Sequence, residues 1–374
     1  MEYKTHERLL MPVSRLGMGA MRLPMSGGEI DLAEGTAMID RLMAAGVNYY
    51  DTAYMYHGGK SEGFLRKALI ERHERDKFTV ADKMPGEGSG SLAKAKEIFA
   101  TQRERLGVDY VDYYMLHGIG KPGYISFRDS GVVAWLEQMK ASGTIRRFGF
   151  SYHGSFDDYE WVLSQRDWDF SQIMLNYYDW SVGADTLYHT ACDRGVPIIV
   201  MEPVRGGGLT RLPENARAPM REANSAASEA SWALRWCASL PGVYVVLSGM
   251  SNTAQVEDNI RTFNAPNPLT DDEETVIQKV LTAMKDLPLI ACTECRYCAG
   301  CPQGIDIARL FGAYNEYVRF ASSWYMMHEY WKKPEGGRAD ACTECGFCEA
   351  KCPQKLGIIQ ELKKAHKKAA ELKR

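Results

Sequence analysis

Long hydrophobic runs are missing from this 374-residue chain: no stretch approaches the ~18 apolar residues that a membrane-crossing helix requires. An excess of one charge is missing too. Lys and Arg total 45 against 48 Asp and Glu, a formal net charge of −3, so composition gives no support to a nucleic-acid or membrane-surface partner. The opening MEYKTHERLL is charged throughout and carries no apolar signal core. A cytoplasmic protein is the expectation. Cysteine is scarce over most of the length, with only Cys192 and Cys237 before residue 292. A disulfide scaffold needs a secretory context, and nothing here suggests one. No G-x-G-x-x-G spacing is present in the glycine-rich stretch Gly86–Gly90, which reads as a flexible loop.

What is present is a sizeable core and an uneven distribution of cysteine. Hydrophobic residues make up 45% and aromatics 11%, which excludes a largely disordered chain. The length exceeds one ordinary domain and fits a large barrel with an appendage. Short β-rich segments recur at Ser14–Ala20, Val47–Thr52, Phe78–Lys83, Val111–His117, Arg146–Ser151, Phe170–Asn176, Val196–Glu202 and Val243–Ser248. Helix-bearing connections follow the first seven, such as Asp31–Ala45, Ser61–Glu74 and Ser91–Leu106. The seventh connection holds a Pro/Arg/Asn-rich loop near Leu212–Asn224 and a helix over Ser228–Leu240. Eight such units predict an α/β fold, a closed (β/α)8 TIM barrel, rather than an open sheet. A helix over Val256–Thr262, the Pro-rich stretch Ala265–Leu269 and a helix over Asp271–Asp286 then lead to the tail. The organisation expected is a barrel over 1–270, a linking helix over 271–287 and a small, mainly helical domain over 288–374.

Chemistry in such a barrel belongs at the C-terminal ends of the strands. Asp51 ends the second segment, Tyr56 follows in its loop, Lys83 ends the third and His117 the fourth. Singly, each has an ordinary role: a helix cap, a packed ring, a solvated amine, a core imidazole. Together they suit carbonyl reduction. A carbonyl receiving hydride develops alkoxide character and needs a proton from a positioned acid. A tyrosine serves if a cation stabilises its phenolate, which Lys83 can supply while Asp51 holds the lysine. His117 can hydrogen-bond the carbonyl oxygen.

The tail carries two cysteine runs. Cys292, Cys295, Cys298 and Cys301 form C-x2-C-x2-C-x2-C-P, and Cys342, Cys345, Cys348 and Cys352 form C-x2-C-x2-C-x3-C-P. The second is the spacing of two-cluster ferredoxins, and the first is one residue short before its last cysteine. By the ferredoxin arrangement, Cys292, Cys295, Cys298 and Cys352 would hold one [4Fe-4S] cluster, and Cys342, Cys345, Cys348 and Cys301 the other. Two zinc ions would also consume eight thiolates, but zinc ribbons use separated C-x2-C pairs rather than runs of four. The aromatic insert Ile305–Trp331 reads as helical packing. The lysines after Cys352 (Lys363, Lys364, Lys367, Lys368, Lys373, with Arg374) read as a solvated helix face or a docking patch for an acidic electron carrier. Cys192 and Cys237 read as buried thiols.

Several ordered motifs over about residues 1–265 resemble the aldo-keto reductases: LGMGAMRLP (Leu16–Pro24), DTAYMYHGGKSE (Asp51–Glu62), ADKMP (Ala81–Pro85), DYYMLHG (Asp112–Gly118) and GFSYHG (Gly149–Gly154). With its tail, the chain resembles the branch of that superfamily bearing a C-terminal ferredoxin-like domain. The resemblance implies Asp51, Tyr56, Lys83 and His117 as the catalytic tetrad, Tyr56 as general acid and NAD(P)H as hydride donor. It implies cofactor contacts from Gly19, Ala20 and Met21, from Ser151 and Gln172 to the carboxamide, and from Gly249, Ser251, Gln255 and Asn259 around the adenosine phosphate. Met201 stands where many members place a tyrosine against nicotinamide, and Tyr152 stands where an asparagine is usual. Gln255 stands where many NADPH-preferring members carry arginine.

The expected function is an oxidoreductase reducing a small carbonyl, or oxidising an alcohol, with two [4Fe-4S] clusters serving structure or electron transfer. A ferredoxin- or flavodoxin-type carrier is the expected further partner. Nicotinamide delivers two electrons and each cluster passes one, and no flavin motif bridges them. Two alternatives stay open on the sequence: a cluster-fed one-electron reductase, and an electron-transfer protein using the barrel as a docking scaffold.

Overall fold

The computed structural model describes residues 1–86, 90–264, 268–332 and 337–373. Most of the Gly86–Gly90 stretch, the start of Ala265–Leu269, and Arg374 lie outside the described residues. The chain forms two compact units, Met1–Gly206 with Ala230–Glu274, and Gly207–Glu229 with Thr275–Arg374.

The first unit is built on eight parallel strands: β1 (Leu16–Gly19), β2 (Tyr49–Asp51), β3 (Thr79–Met84), β4 (Val111–Ile119), β5 (Ile145–Tyr152), β6 (Ser171–Met174), β7 (Ile198–Met201) and β8 (Val243–Ser248). Each pairs with its sequence neighbours, and β8 pairs with β1 to close the barrel. All eight coincide with segments expected from the sequence. Each β segment buries both faces, which is why the sequence shows apolar runs rather than alternation. One face fills the barrel interior with Tyr49, Ala81, Tyr113, Met115, Phe170, Ile199, Val245 and Leu247, joined by Leu9 and Val13. The other packs against the surrounding helices. The interior is full enough to dictate residue size: a Cβ on Gly149 would lie 2.7 Å from the Phe170 ring and 2.5 Å from its carbonyl oxygen.

The helices follow local rules. Asp31 Oδ1 accepts from the Glu34 N–H at 3.0 Å and starts helix Leu32–Ala44. That helix buries Gly35, Met38, Ile39 and Leu42, one stripe at helical spacing. Gly107, with φ 69°, ends Leu92–Leu106.

In the second unit, Ile307–Phe320, Ser323–Trp331 and Ile358–Leu372 are helices around Phe311, Tyr314, Met326, Tyr330 and Leu362. The stretch expected as a loop near Leu212–Asn224 is helical over Glu214–Ala223. Its polar face masks the pattern: Ala216 and Met220 are buried four residues apart, and Glu214 pairs with Arg217 and Arg221. Pro219 lies inside it, which is what made the sequence read as a loop. No helix among the described residues is long and apolar enough to cross a membrane.

Candidate active site and cluster-binding region

Strand alternation decides which side chains reach the barrel interior. Asp51 lies two residues beyond Tyr49, Lys83 two beyond Ala81, and His117 two beyond Met115, all of which are interior residues. Three side chains from three adjacent strands therefore enter the same end of the barrel. Lys83 is 0% exposed, and its Nζ donates to Asp51 Oδ1 at 2.5 Å and to the Thr52 carbonyl at 2.6 Å. Tyr56 opens a short 3-10 turn after β2. Its ring lies 4.9 Å from Lys83 Nζ and meets the His117 ring edge-on at 5.9 Å.

The charges follow from depth. Burial lowers the Lys83 ammonium's affinity for its proton, but Asp51 and Tyr56 outweigh burial and the net direction is upward. This lysine stays charged. Burial raises Asp51, against the pull of Lys83, and Asp51 Oδ2 is buried without a hydrogen-bond partner among the described residues. Burial also raises Tyr56, with Lys83 opposing it. Lys83 favours the phenolate, but at this depth desolvation exceeds its pull, so the resting group is the phenol. His117 is lowered to about 3, by burial first and by Lys83 second. It is a neutral imidazole at physiological pH.

Beside this group, Ser151 and Gln172 are register partners on β5 and β6. Ser151 Oγ accepts from the Gly118 N–H at 2.7 Å, leaving its own proton to donate. Gln172 Nε2 contacts Met201 Sδ at 3.7 Å, and its Oε1 is buried without a partner among the described residues. That buried acceptor and adjacent hydroxyl fit a carboxamide.

Around β1 and β8 the other candidate contacts spread out. Gly19 ends β1 opposite Asp51, Ala20 is buried with its N–H donating to the Asp51 carbonyl at 2.7 Å, and Met21 is exposed. Gly249 lies against the Arg22 side chain. Ser251 donates its N–H to Gln255 Oε1 at 2.7 Å, and Asn259 is buried, donating to Ser248 Oγ at 2.6 Å. Sequence reasoning missed four neighbours. Arg22 lies across Gly249 and reaches Gly206. Glu34 Oε1 accepts from both the N–H and the hydroxyl of Thr253, at 2.9 and 2.6 Å. Glu62 and Asp82 are both fully buried. Arg22, Glu62 and Asp82 stand inside the motifs given above, but nothing in their spacing marks them.

In the second unit the eight cysteines divide between two cavities. One is lined by Cys292, Cys295, Cys298 and Cys352, the other by Cys301, Cys342, Cys345 and Cys348. Each set draws three thiols from one run and the fourth from the other. Cys352 is close enough to Cys292 and Cys298 to interact electrostatically with both. The two runs share a backbone: Glu294 and Arg296 have φ 55° and 60°, Glu344 and Gly346 have φ 57° and 74°. Paired left-handed residues curl each loop round its cavity. Among the described residues no three His, Cys, Asp or Glu side chains converge as a single-ion site. A cube needs thiolates spread round a volume, whereas zinc needs them within about 2.3 Å of one point, so the donor set fits clusters better. Of the remaining cysteines, Cys237 is buried and donates to the Leu175 carbonyl at 3.3 Å, while Cys192 is only partly buried. The tail lysines are partly engaged: Lys363 pairs with Glu344, and Lys364 and Lys373 lie over Tyr314 and Trp331.

A closed parallel barrel with an ionic cluster at the strand ends, followed by two thiol-lined cavities, defines an oxidoreductase with an appended iron–sulfur module. Residues 15–282 match the aldo/keto reductase family and residues 291–356 match the 4Fe-4S dicluster domain; the chain belongs to the aldo/keto reductase family. It is 26% identical over 299 residues to L-galactose dehydrogenase of Arabidopsis thaliana, covering 74% of this chain and 93% of that protein. It is 26% identical over 322 residues to the NADH-specific methylglyoxal reductase of Escherichia coli, covering 73% and 96%. Among solved structures, the holo form of an aldo-keto reductase from Bacillus halodurans aligns with a TM-score of 0.63 and 28% identity, over 75% of this chain and 96% of that one.

Proposed function

We propose that the barrel reduces a small carbonyl compound at the expense of NAD(P)H, or runs the reverse oxidation, with Tyr56 as the proton donor. The observation that carries this reading is Lys83, fully buried between the Asp51 carboxylate and the Tyr56 ring at the C-terminal ends of β2 and β3. Bound nicotinamide supplies the hydride. Ser151 and Gln172 would hold its carboxamide, orienting the ring face. His117, neutral, donates a hydrogen bond to the substrate oxygen and fixes its position. Tyr56 then gives its proton to that oxygen as negative charge develops on it. The phenolate left behind faces the Lys83 ammonium, whose attraction is strongest in this low-dielectric setting. Asp51 keeps the ammonium in place. Glu34, already accepting from Thr253, disfavours a further negative charge at the start of helix Thr253–Asn264. We therefore expect NADH to serve at least as well as a nucleotide carrying a 2′-phosphate.

The tail would hold two [4Fe-4S] clusters on the two thiol sets, supplying one-electron chemistry when loaded. We place the protein in the cytoplasm, consistent with free thiols of this kind, and keep an electron carrier as its second partner. The sequence limits of 1–270, 271–287 and 288–374 remain our domain reading.

The deciding experiment is Tyr56→Phe. It should abolish carbonyl-dependent NAD(P)H oxidation while nucleotide binding, followed by fluorescence quenching, is retained. Undiminished turnover in that variant would sink the mechanism. Redox titration of the clusters with NAD(P)H separates the two roles of the tail: reduction favours electron transfer, indifference during carbonyl turnover favours a structural role.

A further inference from the structure

Asp82 and Lys83 are neighbours on β3, so their side chains leave opposite faces of the sheet. Lys83 enters the site. Asp82 points into the layer between strands and helices, where it is 0% exposed. Glu62, in helix Ser61–Leu65, is also 0% exposed, and the two carboxyls lie within hydrogen-bonding reach of one another. One oxygen of each has a donor. Asp82 Oδ1 accepts from the Lys83 backbone N–H at 2.8 Å, and Glu62 Oε2 accepts from Arg105 at 2.8 Å. The other oxygens, Asp82 Oδ2 and Glu62 Oε1, are buried with no donor among the described residues.

Two adjacent carboxylates with two orphaned oxygens are unstable together, because like charges in a buried site repel and each orphan forfeits its hydration. A single proton removes both penalties. It makes one member neutral and turns the two orphans into donor and acceptor of one O–H···O bond. We propose that Asp82 and Glu62 hold one proton between them, and that this pair is a positioning element for the Lys83–Tyr56 site, keeping a second negative charge away from the ammonium.

The surroundings support a monoanionic pair. Arg105, on helix Leu92–Leu106, balances one carboxylate. It lies 4.6 Å from the Tyr54 ring centroid and donates to the Tyr54 carbonyl at 3.2 Å, two residues before Tyr56. Tyr114, the β4 register partner of Asp82, donates to Gln102 Oε1 at 2.5 Å, and Gln102 donates to the Lys83 carbonyl at 3.0 Å. Tyr114 is held protonated by burial, with Asp82 and Glu62 adding to it. Asp51 already neutralises Lys83 from inside the barrel. Burial, and Glu62 after it, hold the Asp82 carboxyl well above the usual carboxylate range. An ionised Asp82 raises Tyr56 further, making it a weaker proton donor. Loss of the shared proton at alkaline pH therefore slows proton donation. This last consequence rests on the role proposed for Tyr56; the shared proton itself does not.

The test reads the proton directly. Infrared difference spectra of the full-length protein without nucleotide, native against Asp82→Asn at neutral pH, should show a carboxylic-acid C=O stretch in the native protein. It should shift in D2O and vanish in the variant. Glu62→Gln should keep the band but shift its frequency, because burial still favours the acid form of Asp82 while the O–H···O bond to a carboxylate is lost. No such band in the native protein, a band surviving in Asp82→Asn, or one unshifted in Glu62→Gln overturns the shared proton. Stability gives an independent reading. The folded state binds a proton that unfolded Asp82 releases above pH ~4, so native stability declines with rising pH above that point. The melting temperature of Asp82→Asn should decline less over the same range, and parallel curves overturn the proposal. Finally, the alkaline fall in kcat should move upward by about one pH unit or more in Asp82→Asn. An unmoved limb with the band correctly assigned overturns the positioning role alone. A fully active Tyr56→Phe would instead remove the catalytic reading and leave the infrared result standing.

Discussion

Lys83 in the barrel touches two oxygens at 2.5 and 2.6 Å and has no exposed surface, whereas the tail thiols line cavities, with Cys295 and Cys345 exposed. The barrel's buried polar groups are fixed by strand ends and by a packed interior. The tail's thiols are held by curled loops over a short apolar core centred on Phe311, Tyr314 and Tyr330. The loops that carry the thiols are only partly buried and have little else to offset the entropy of ordering them. The difference teaches where folding and function are coupled: in the tail the metal is expected to be part of the fold, whereas in the barrel the bound nucleotide is expected to serve only the chemistry.

The sharpest way to break that comparison is to remove the iron. Because ligand binding to a thiolate site is folding free energy, of order 10 kcal/mol for comparable metal sites, chelation should unfold the tail. Helical circular dichroism from Ile307–Phe320 and Ile358–Leu372 should fall, and limited proteolysis should cut within 288–374. Carbonyl-dependent NAD(P)H oxidation should persist. If it disappears while the barrel remains folded, the cluster-fed reading replaces hydride transfer from nicotinamide. Next in size is Tyr56→Phe, expected to lower kcat by about 10²–10⁴ with little change in nucleotide affinity. An equal loss in the iron-free protein would show that the barrel site works alone.

How much of this was legible in the sequence depends on the range of the interaction. The barrel strands were legible because doubly buried strands are apolar runs, and Val243–Ser248 coincides residue for residue. Asp51, Lys83 and His117 were legible because strand ends and period-2 alternation place them without knowledge of distant contacts. The thiol division was legible from the crossed fourth cysteine. Helix Glu214–Ala223 was hidden because Pro219 and the charged face outweigh two buried positions. The Asp82–Glu62 pair was hidden for a different reason. It depends on which face of β3 each residue leaves and on how deeply a helix twenty residues earlier packs against it. The resting state of Tyr56 was equally unreadable, since its sign is set by depth rather than by neighbours in the chain.

Acid stability sharpens the barrel side. His117 is lowered to about 3 in the folded protein, against ~6.5 unfolded. Between those values the unfolded state binds the extra proton, so stability rises with pH and is lost as the pH falls from ~6.5 towards ~3. The group's share is roughly 4–5 kcal/mol at the acid end. Chemical denaturation of His117→Gln at several pH values should show a flatter acid limb, and an unchanged slope would refute the buried neutral imidazole.

The smaller effects come from glycines that the two units use for opposite reasons. At Gly149 the backbone is ordinary strand, but an added Cβ meets the Phe170 ring and carbonyl at 2.7 and 2.5 Å. Gly149→Ala should cost about 1–3 kcal/mol as overpacking, read as a lower barrel melting temperature. At Gly346 the reverse holds: nothing lies within 4 Å of an added Cβ, and the constraint is φ 74°. Its counterpart in the first cysteine run, Arg296, already takes φ 60° with a full side chain. The loop therefore tolerates an L-residue there, and the cost reduces to the left-handed backbone alone, about 1 kcal/mol. Gly346→Ala should keep its cluster absorbance and shift the denaturation midpoint of the tail only slightly. Loss of one cluster in that variant would mean that the two runs, alike in backbone, are not alike in the strain they bear.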